Sequence, residues 1–132
     1  MTMTDPIADF LTHVRNANSI KSEWTEMPLS KMRTALAIVL KDEGFLSDFE
    51  VKSDPFPGKL RLKLRYDQDG ERVIREIRRA SKPGCRVYVG AGNIPRIKNG
   101  QGICVLSTTR GVVSSRKARE FGVGGELLAT IW

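Results

Sequence analysis

Residues Lys59–Tyr66 read KLRLKLRY, a stretch in which basic and apolar side chains alternate at every position. The apolar residues of this stretch therefore all lie at even-numbered positions: Leu60, Leu62, Leu64 and Tyr66. Because successive side chains of a β-strand point to opposite faces, an alternation of period two predicts a strand with one face on a core and the other in solvent. It is the clearest strand pattern in the sequence, and the other elements are placed outward from it.

The second face of this predicted strand is basic. Charged outward positions are normal where one face of a sheet is solvated. A row of Lys and Arg could also hold phosphate groups at the periphery of a polyanion. The pattern leaves both interpretations open for the four residues concerned, Lys59, Arg61, Lys63 and Arg65.

Two amphipathic helices are predicted upstream. The first lies in TDPIADFLTHVRNANSI, where Thr4 or Asp5 can be the N-cap and Pro6 fits the first turn. The second lies in PLSKMRTALAIVLKDEGF, where Ser30 can be the N-cap and Gly44 a terminator. FLSDFEV then reads as a strand, and PFPG as a turn that leads into KLRLKLRY. Apolar residues at helical spacing predict one buried stripe per helix: Ile7, Phe10, Leu11 and Val14 in the first, and Met32, Leu36, Val39 and Leu40 in the second.

The elements predicted downstream are shorter. DQDG offers a hairpin turn, and the next segment, ERVIREIRRAS, suits either a helix or a strand on pattern alone. SKPG then marks a break. Beyond it we expect the strand RVYV, the loop GAGNIP, a helical turn, the strand GICVL, the loop STTRG, a short helix in SSRKAREFG and the strand ELLATIW.

This order of elements predicts an α+β fold with two small domains. The expected N-terminal domain, residues 1–80, is αβαββ with a three-stranded sheet, although no residue pattern identifies the strand between its two helices. The expected C-terminal domain, residues 81–132, is mostly β with short helices. A chain of 132 residues, 40% hydrophobic and 28% charged, has the length and composition of a globular protein of this size.

The positive charge of the chain is concentrated in its second half. Residues 1–58 contain six Lys/Arg and nine Asp/Glu, a net charge of −3, whereas residues 59–132 contain 16 and 6, a net charge of +10. Such an asymmetry is typical of a face that binds a polyanion. Charge alone does not distinguish RNA, DNA and anionic lipid.

Patterns typical of catalysis, metal binding and membranes are not found in the sequence. His13 is the only histidine, and no CxxC motif accompanies Cys85 and Cys104. We expect both cysteines to be small core residues. No apolar run approaches the roughly 20 residues of a membrane span, and no basic region leads into an apolar one at the N-terminus. We therefore expect a cytosolic protein that is not an enzyme.

The loop STTRG is the strongest candidate for a binding site. Hydroxyl groups both donate and accept hydrogen bonds, which suits base edges and ribose 2′-OH groups. A glycine lets a bulky partner approach the backbone. The alternative interpretation is an ST-turn followed by a capped surface helix. The loop consists of Ser107, Thr108, Thr109, Arg110 and Gly111.

Two further features point to an anionic partner. Ser114 can cap the short helix, yet Arg116 and Lys117 occupy its first turn. Cations there oppose the helix dipole at a cost of about 0.3–1 kcal/mol each, which a nearby anion would offset. Tyr88 lies between Arg86 and Gly90 and could stack on a base or ribose. A half-buried strand tyrosine fits that pattern as well.

Several of these segments resemble one known family. STTRGVVSSRKAREFGVGGELLATIW closely resembles the C-terminal signature of the bacterial small-subunit ribosomal protein family numbered eight. DPIADFLTHVRNA, PLSKMRTALAIVLKDEGF and RRASKPGCRVYVG resemble the same family in the same order. The resemblance covers essentially the whole chain. One departure is Thr109, which stands where serine is typical and keeps the hydroxyl group.

The resemblance implies a structural protein, without catalysis or a cofactor, that binds the central domain of 16S ribosomal RNA and helps to assemble the subunit platform. It implies that ERVIREIRRAS is a strand. The implied partners are that RNA and neighbouring small-subunit ribosomal proteins, and a ribosomal-protein mRNA if the protein also represses its own operon. The implied location is the cytoplasmic ribosome, and the free protein is expected to be a monomer.

The resemblance also implies which residues bind RNA. When each motif is matched to the family, the RNA-binding residues fall in the STTRG loop and beside it. Four positions near the N-terminus are matched less firmly. The implied set is Ser107, Thr108, Thr109, Arg110, Gly111, Tyr88, Gly124 and Glu126, with Thr4, Arg15, Asn16 and Lys31.

Overall fold

The computed structural model describes residues 5–132, so the candidate cap Thr4 lies outside the described residues. The chain divides into two compact units, one ending at Ile74 and one beginning at Arg75. Each unit contains one antiparallel sheet. The prediction of an α+β fold with two small parts is confirmed, whereas the boundary at residue 80 stays a prediction.

The N-terminal unit has the predicted element order αβαββ. Its three strands pair antiparallel in the spatial order β1-β3-β2. KLRLKLRY thus supplies the central strand, whose two edges are both paired. The elements are α1 (Pro6–Ser19), β1 (Trp24–Pro28), α2 (Lys31–Asp42), β2 (Leu46–Lys52) and β3 (Lys59–Leu64).

The local signals in this unit act as the sequence predicts. The carboxylate of Asp5 accepts hydrogen bonds from the backbone N–H groups at the start of α1, and Ser30 caps α2 in the same way. Gly44, with φ of +85°, follows the end of α2. The three leucines of β3 are buried beneath the apolar stripes of the two helices. Each buried leucine contributes about 1.5–3 kcal/mol.

The C-terminal unit is mostly β. Its sheet has the spatial order β4-β8-β6-β7, and β5 pairs with the first residues of β8 while β4 pairs with the last. Short 3₁₀ turns lie at Ala91–Asn93 and Lys98–Gly100. The elements are β4 (Ile77–Arg79), β5 (Tyr88–Val89), β6 (Ile103–Thr108), β7 (Gly111–Ser114), α3 (Ser115–Phe121) and β8 (Gly125–Ile131).

The segment ERVIREIRRAS, whose pattern was ambiguous, forms strand over Ile77–Arg79. Its partner is β8, about 50 residues away in sequence. The local pattern could not decide the conformation because the pairing that fixes it is remote.

Two expectations about the C-terminal unit are wrong. STTRG is not an open loop, since its first two residues end β6 and Gly111 begins β7, a strand that the sequence pattern did not predict. Cys85 is exposed, whereas Cys104 is buried as expected. Cys85 closes a tight turn with Lys82 through two backbone hydrogen bonds, and the residues of this turn, 82–85, are all exposed.

None of the helices within residues 5–132 has the length and hydropathy needed to cross a membrane. Over the same residues, no three His, Cys, Asp or Glu side chains are grouped so that they could hold a metal ion.

Candidate nucleic-acid interface

A row of side chains crosses the start of β8. Tyr88 on β5 is paired with Glu126 on β8, and Glu126 is paired on its other side with Ser107 on β6. Residues directly opposite one another share a face of the sheet, and adjacent strands lie about 4.8 Å apart. Leu106, which precedes Ser107, and Leu127, which follows Glu126, are buried on the opposite face of the sheet. We refer to Tyr88, Glu126 and Ser107 as the Tyr88 row. The side chain of Tyr88 is largely in solvent, since the residue is 70% exposed.

The hydroxyl-rich segment is a tight β-hairpin beside this row. The Thr108 hydroxyl donates to the Gly111 carbonyl at 2.9 Å and accepts from the Arg110 N–H at 3.0 Å, so it holds the turn closed. The Ser107 and Thr109 hydroxyls make no hydrogen bond to any of residues 5–132. Of the three predicted hydroxyls, the structure therefore leaves two for a ligand and uses one within the turn.

Arg110, at the tip of this hairpin, rests on an aromatic ring. Its guanidinium carbon lies 4.8 Å from the centroid of Phe121, and both side chains are exposed. An exposed cation–π contact is worth about 0.5–1 kcal/mol. That is weak enough for an incoming phosphate group to compete for Arg110.

Glu126, in the middle of the Tyr88 row, is held through one of its two oxygens. Oε2 accepts from the Ser81 hydroxyl at 2.5 Å and from the Arg86 guanidinium at 3.0 Å. The Ser81 hydrogen bond, with the charges of Arg86 and Arg79, lowers the pKa of Glu126 below its ordinary value against the opposing effect of burial. Glu126 is therefore an anion at neutral pH, and its Oε1 makes no hydrogen bond to residues 5–132.

Ser81 is a functional candidate that sequence analysis missed. It is fully buried, and its hydroxyl accepts a hydrogen bond from the Val87 N–H at 3.1 Å while donating to Glu126. Val87 also accepts from the Leu127 N–H at 2.8 Å. Ser81 thus fixes the residue that precedes Tyr88. Nothing in the sequence identifies this role, because Ser81 and Glu126 are 45 positions apart.

Gly124, which precedes β8, and Gly125, which begins it, allow the strands around the row to approach closely. A Cβ atom on Gly124 would overlap the Val89 carbonyl oxygen, and one on Gly125 would overlap the Ser107 carbonyl oxygen. The structure therefore gives Gly124 a steric role in the site. Its implied contact with RNA stays a prediction.

The serines after the hairpin serve the protein interior. Ser114 caps α3 as predicted, accepting from the Lys117 N–H at 3.2 Å. Ser115 accepts from the Cys104 N–H at 3.1 Å and is buried. Neither hydroxyl is placed to meet a ligand, although Arg116 and Lys117 are exposed.

The remaining candidates lie on the helices of the N-terminal unit. Arg15 and Asn16 are exposed on α1, and Lys31 is exposed at the first position of α2. His13 also lies on α1, where its Nδ1 is 2.9 Å from the Asp9 carbonyl oxygen. Thr4 lies outside the described residues.

The basic face of β3 is matched by acidic side chains of the neighbouring strands. Lys59 lies 3.2 Å from Glu26, and Arg61 lies 3.6 Å from Glu26 and 3.2 Å from Glu50. Lys63 lies 3.6 Å from a carboxylate oxygen of Glu23, the residue that precedes β1. Exposed pairs of this kind are worth at most about 1 kcal/mol each. Of the two interpretations left open by the sequence, the geometry favours a solvated sheet face over a phosphate-binding one.

Charge counted by structural unit sharpens this contrast. Residues up to Ile74 contain 11 Lys/Arg and 12 Asp/Glu, a net charge of −1, whereas residues from Arg75 contain 11 and 3, a net charge of +8. The positive field belongs to the unit that carries the Tyr88 row.

A family model and curated proteins both match this chain. The family model described as ribosomal protein S8 matches residues 5–132. Curated proteins named small ribosomal subunit protein uS8 are similar over their full length and over all of this chain: 51% identical in Geobacter metallireducens, 48% in Geotalea daltonii and 49% in Geobacillus kaustophilus. The resemblance inferred from the sequence is confirmed, and the chain belongs to the ribosomal protein S8 family.

Proposed function

We propose that this chain is a structural RNA-binding component of the small ribosomal subunit, and that it grips folded ribosomal RNA with the Tyr88 row and the adjoining hairpin. One observation carries the proposal. Tyr88, Glu126 and Ser107 form a single row on a unit of net charge +8, and the hydroxyls of Ser107 and Thr109 have no hydrogen-bond partner among residues 5–132. The site contains the chemistry of recognition and no clustered groups for a reaction.

The row suits the minor groove of RNA better than a bare phosphate surface. A Glu126 carboxylate repels phosphate, but its Oε1 can accept a hydrogen bond from a ribose 2′-OH or a base amino group. Ser107 and Thr109 can donate or accept at the same edge, and Tyr88 can stack on a sugar or an unpaired base. Arg110 and Lys117 then supply phosphate contacts around this hydrogen-bonding centre.

The RNA target that we propose is the central domain of 16S ribosomal RNA, where binding would help to organise the subunit platform during assembly in the cytoplasm. Membership of the family supports this target. Neighbouring small-subunit proteins are the other proposed partners. Thr4, Arg15, Asn16 and Lys31 are proposed as further RNA contacts, made by the N-terminal part of the chain, and the free protein is proposed to be a monomer.

The experiment is a calorimetric titration of a central-domain stem with wild-type protein and the double variant S107A/T109A. Each lost neutral hydrogen bond costs about 0.5–1.5 kcal/mol, so we expect about 5- to 150-fold weaker binding. Ser53→Ala, which removes an exposed hydroxyl from the N-terminal unit, is the matched control. Unchanged affinity of the double variant, or equal affinity of the wild type for a DNA stem of the same sequence, would contradict the proposal.

A regulatory function is proposed for the same surface. A row that reads the shape of a stem cannot distinguish two RNA molecules folded alike, so an mRNA hairpin that imitates the ribosomal stem would also be bound. Adding the protein to a translation reaction should then lower the yield from its own operon message, and S107A/T109A should relieve that repression. An unaltered yield with the wild-type protein would exclude it.

A further inference from the structure

Both tryptophans of the chain have an arginine and a lysine against their rings. In the N-terminal unit, Trp24 has Arg61 at 4.4 Å and Lys63 at 5.8 Å from its ring centroid. In the C-terminal unit, Trp132 has Arg78 at 5.1 Å and Lys98 at 5.0 Å. The two clusters share the same three residue types, so any difference between them lies in their surroundings.

That difference is the number of carboxylates. The cations of the Trp24 cluster are matched by three glutamates, Glu23, Glu26 and Glu50. In the Trp132 cluster, Arg78 has one carboxylate, Glu76, at 3.3 Å. Lys98 makes no ion pair with any of residues 5–132. Within residues 5–132, each cation of the Trp24 cluster therefore lies beside at least one glutamate, whereas Lys98 of the Trp132 cluster lies beside none.

The backbone that carries Trp132 is also held in place before any ligand arrives. A main-chain oxygen of Trp132 accepts from the N–H groups of Arg75 and Glu76 at 2.7 and 2.8 Å, and the Trp132 N–H donates to the Glu76 carbonyl at 3.0 Å. Gly102 lets the 97–102 turn lie against it, because a Cβ there would be 2.8 Å from the Trp132 Cβ. The backbone at Trp132 is thus fixed on both sides. Two cations kept near one ring repel each other, and a bound anion would reduce that repulsion.

We propose that Arg78, Lys98 and Trp132 form a second RNA contact, a phosphate clamp at the far end of β8 from the Tyr88 row. Glu126 and Trp132 are six residues apart along an extended strand, a separation of about 20 Å. One folded RNA could span that distance along the same unit. The clamp rests on the proposed function, and it adds a contact that holds the backbone of the RNA without reading its sequence.

The test is the salt dependence of binding to the central-domain stem. Each phosphate contact adds about 0.9 to the negative slope of log affinity against log salt. Arg78→Gln and Lys98→Gln should each lower the slope by about 1, so that raising salt fourfold weakens each variant about 3.5-fold less than the wild type. The charge-conserving variant Arg78→Lys should keep the wild-type slope.

The Trp24 cluster supplies matched controls. Arg61→Gln and Lys63→Gln remove the same charges beside the other tryptophan, and they should leave the slope unchanged. Equal slopes for wild type, Arg78→Gln and Lys98→Gln would overturn the clamp, and so would equal effects of the Trp132 and Trp24 variants. If the wild-type protein fails to bind the stem, the proposed function itself fails, so the two failures are distinguishable.

Discussion

Replacing Ser81 by alanine should destabilise the C-terminal unit more than the loss of one small polar side chain would suggest. The hydroxyl is fully buried and makes two hydrogen bonds, to the Glu126 carboxylate at 2.5 Å and from the Val87 N–H at 3.1 Å. A hydrogen bond to a charged group contributes about 1.5–3 kcal/mol, and an unpaired buried N–H costs about 1–3 kcal/mol.

The lower parts of those ranges apply to Ser81→Ala. The Glu126 side chain is 18% exposed and Val87 is half-buried, so water can reach both groups once the hydroxyl is gone. We therefore expect the free energy of unfolding to fall by about 2–3 kcal/mol, as judged from these hydrogen-bond values. The affinity for the central-domain stem should fall as well, because the backbone that carries Tyr88 is no longer fixed.

Urea unfolding followed by circular dichroism measures this change, with Ser53→Ala as an exposed control expected within about 0.5 kcal/mol of wild type. A double-mutant cycle of Ser81→Ala with Glu126→Ala isolates the bond between the two side chains, for which we expect a coupling energy of at least about 1 kcal/mol. The reasoning would be refuted if Ser81→Ala unfolded at the same urea concentration as the control, or if the two substitutions were additive.

Two further predictions concern Glu126 and Gly124. Because the pKa of Glu126 is lowered in the folded protein, its charge stabilises the fold above the ordinary pKa of 4.5, and this contribution is lost as pH falls through the folded value. Glu126→Gln should thus reduce stability at pH 7 and flatten its dependence on pH below 4.5, which urea titrations at several pH values would show; parallel curves would contradict it. Gly124→Ala would force a Cβ into the Val89 carbonyl, and we expect a loss of about 1–3 kcal/mol. Gly92→Ala, where a Cβ meets nothing within 4 Å, is the control.

Local patterns predicted the framework of the N-terminal unit. Alternation in KLRLKLRY identified β3, and apolar spacing with Asp5 and Ser30 as caps identified α1 and α2. These signals are readable because the physics behind them is local: the strand and helix periods, and hydrogen bonds between residues two or three positions apart.

The candidate site was predictable only in its composition. The sequence identified a cluster of hydroxyls beside cations, but it treated Ser107, Thr108 and Thr109 as equivalent. Only the hairpin geometry shows that the Thr108 hydroxyl makes its hydrogen bonds within the turn. The role of the basic face of β3 was equally ambiguous in the sequence. The glutamates that pair with it come from β1 and β2, and only the sheet brings them close.

The sequence by itself determined the helices α1 and α2, the strands β2 and β3, the family, and the half of the chain that carries excess positive charge. The tertiary structure decided which of those charges remain unmatched, which hydroxyls remain available and that Ser81 supports Tyr88 through Glu126. The physical reason is that periodicity and caps act between near neighbours in the chain. Ion pairing, strand register and buried hydrogen bonds instead depend on residues far apart in sequence, whose proximity is set only when the sheets form.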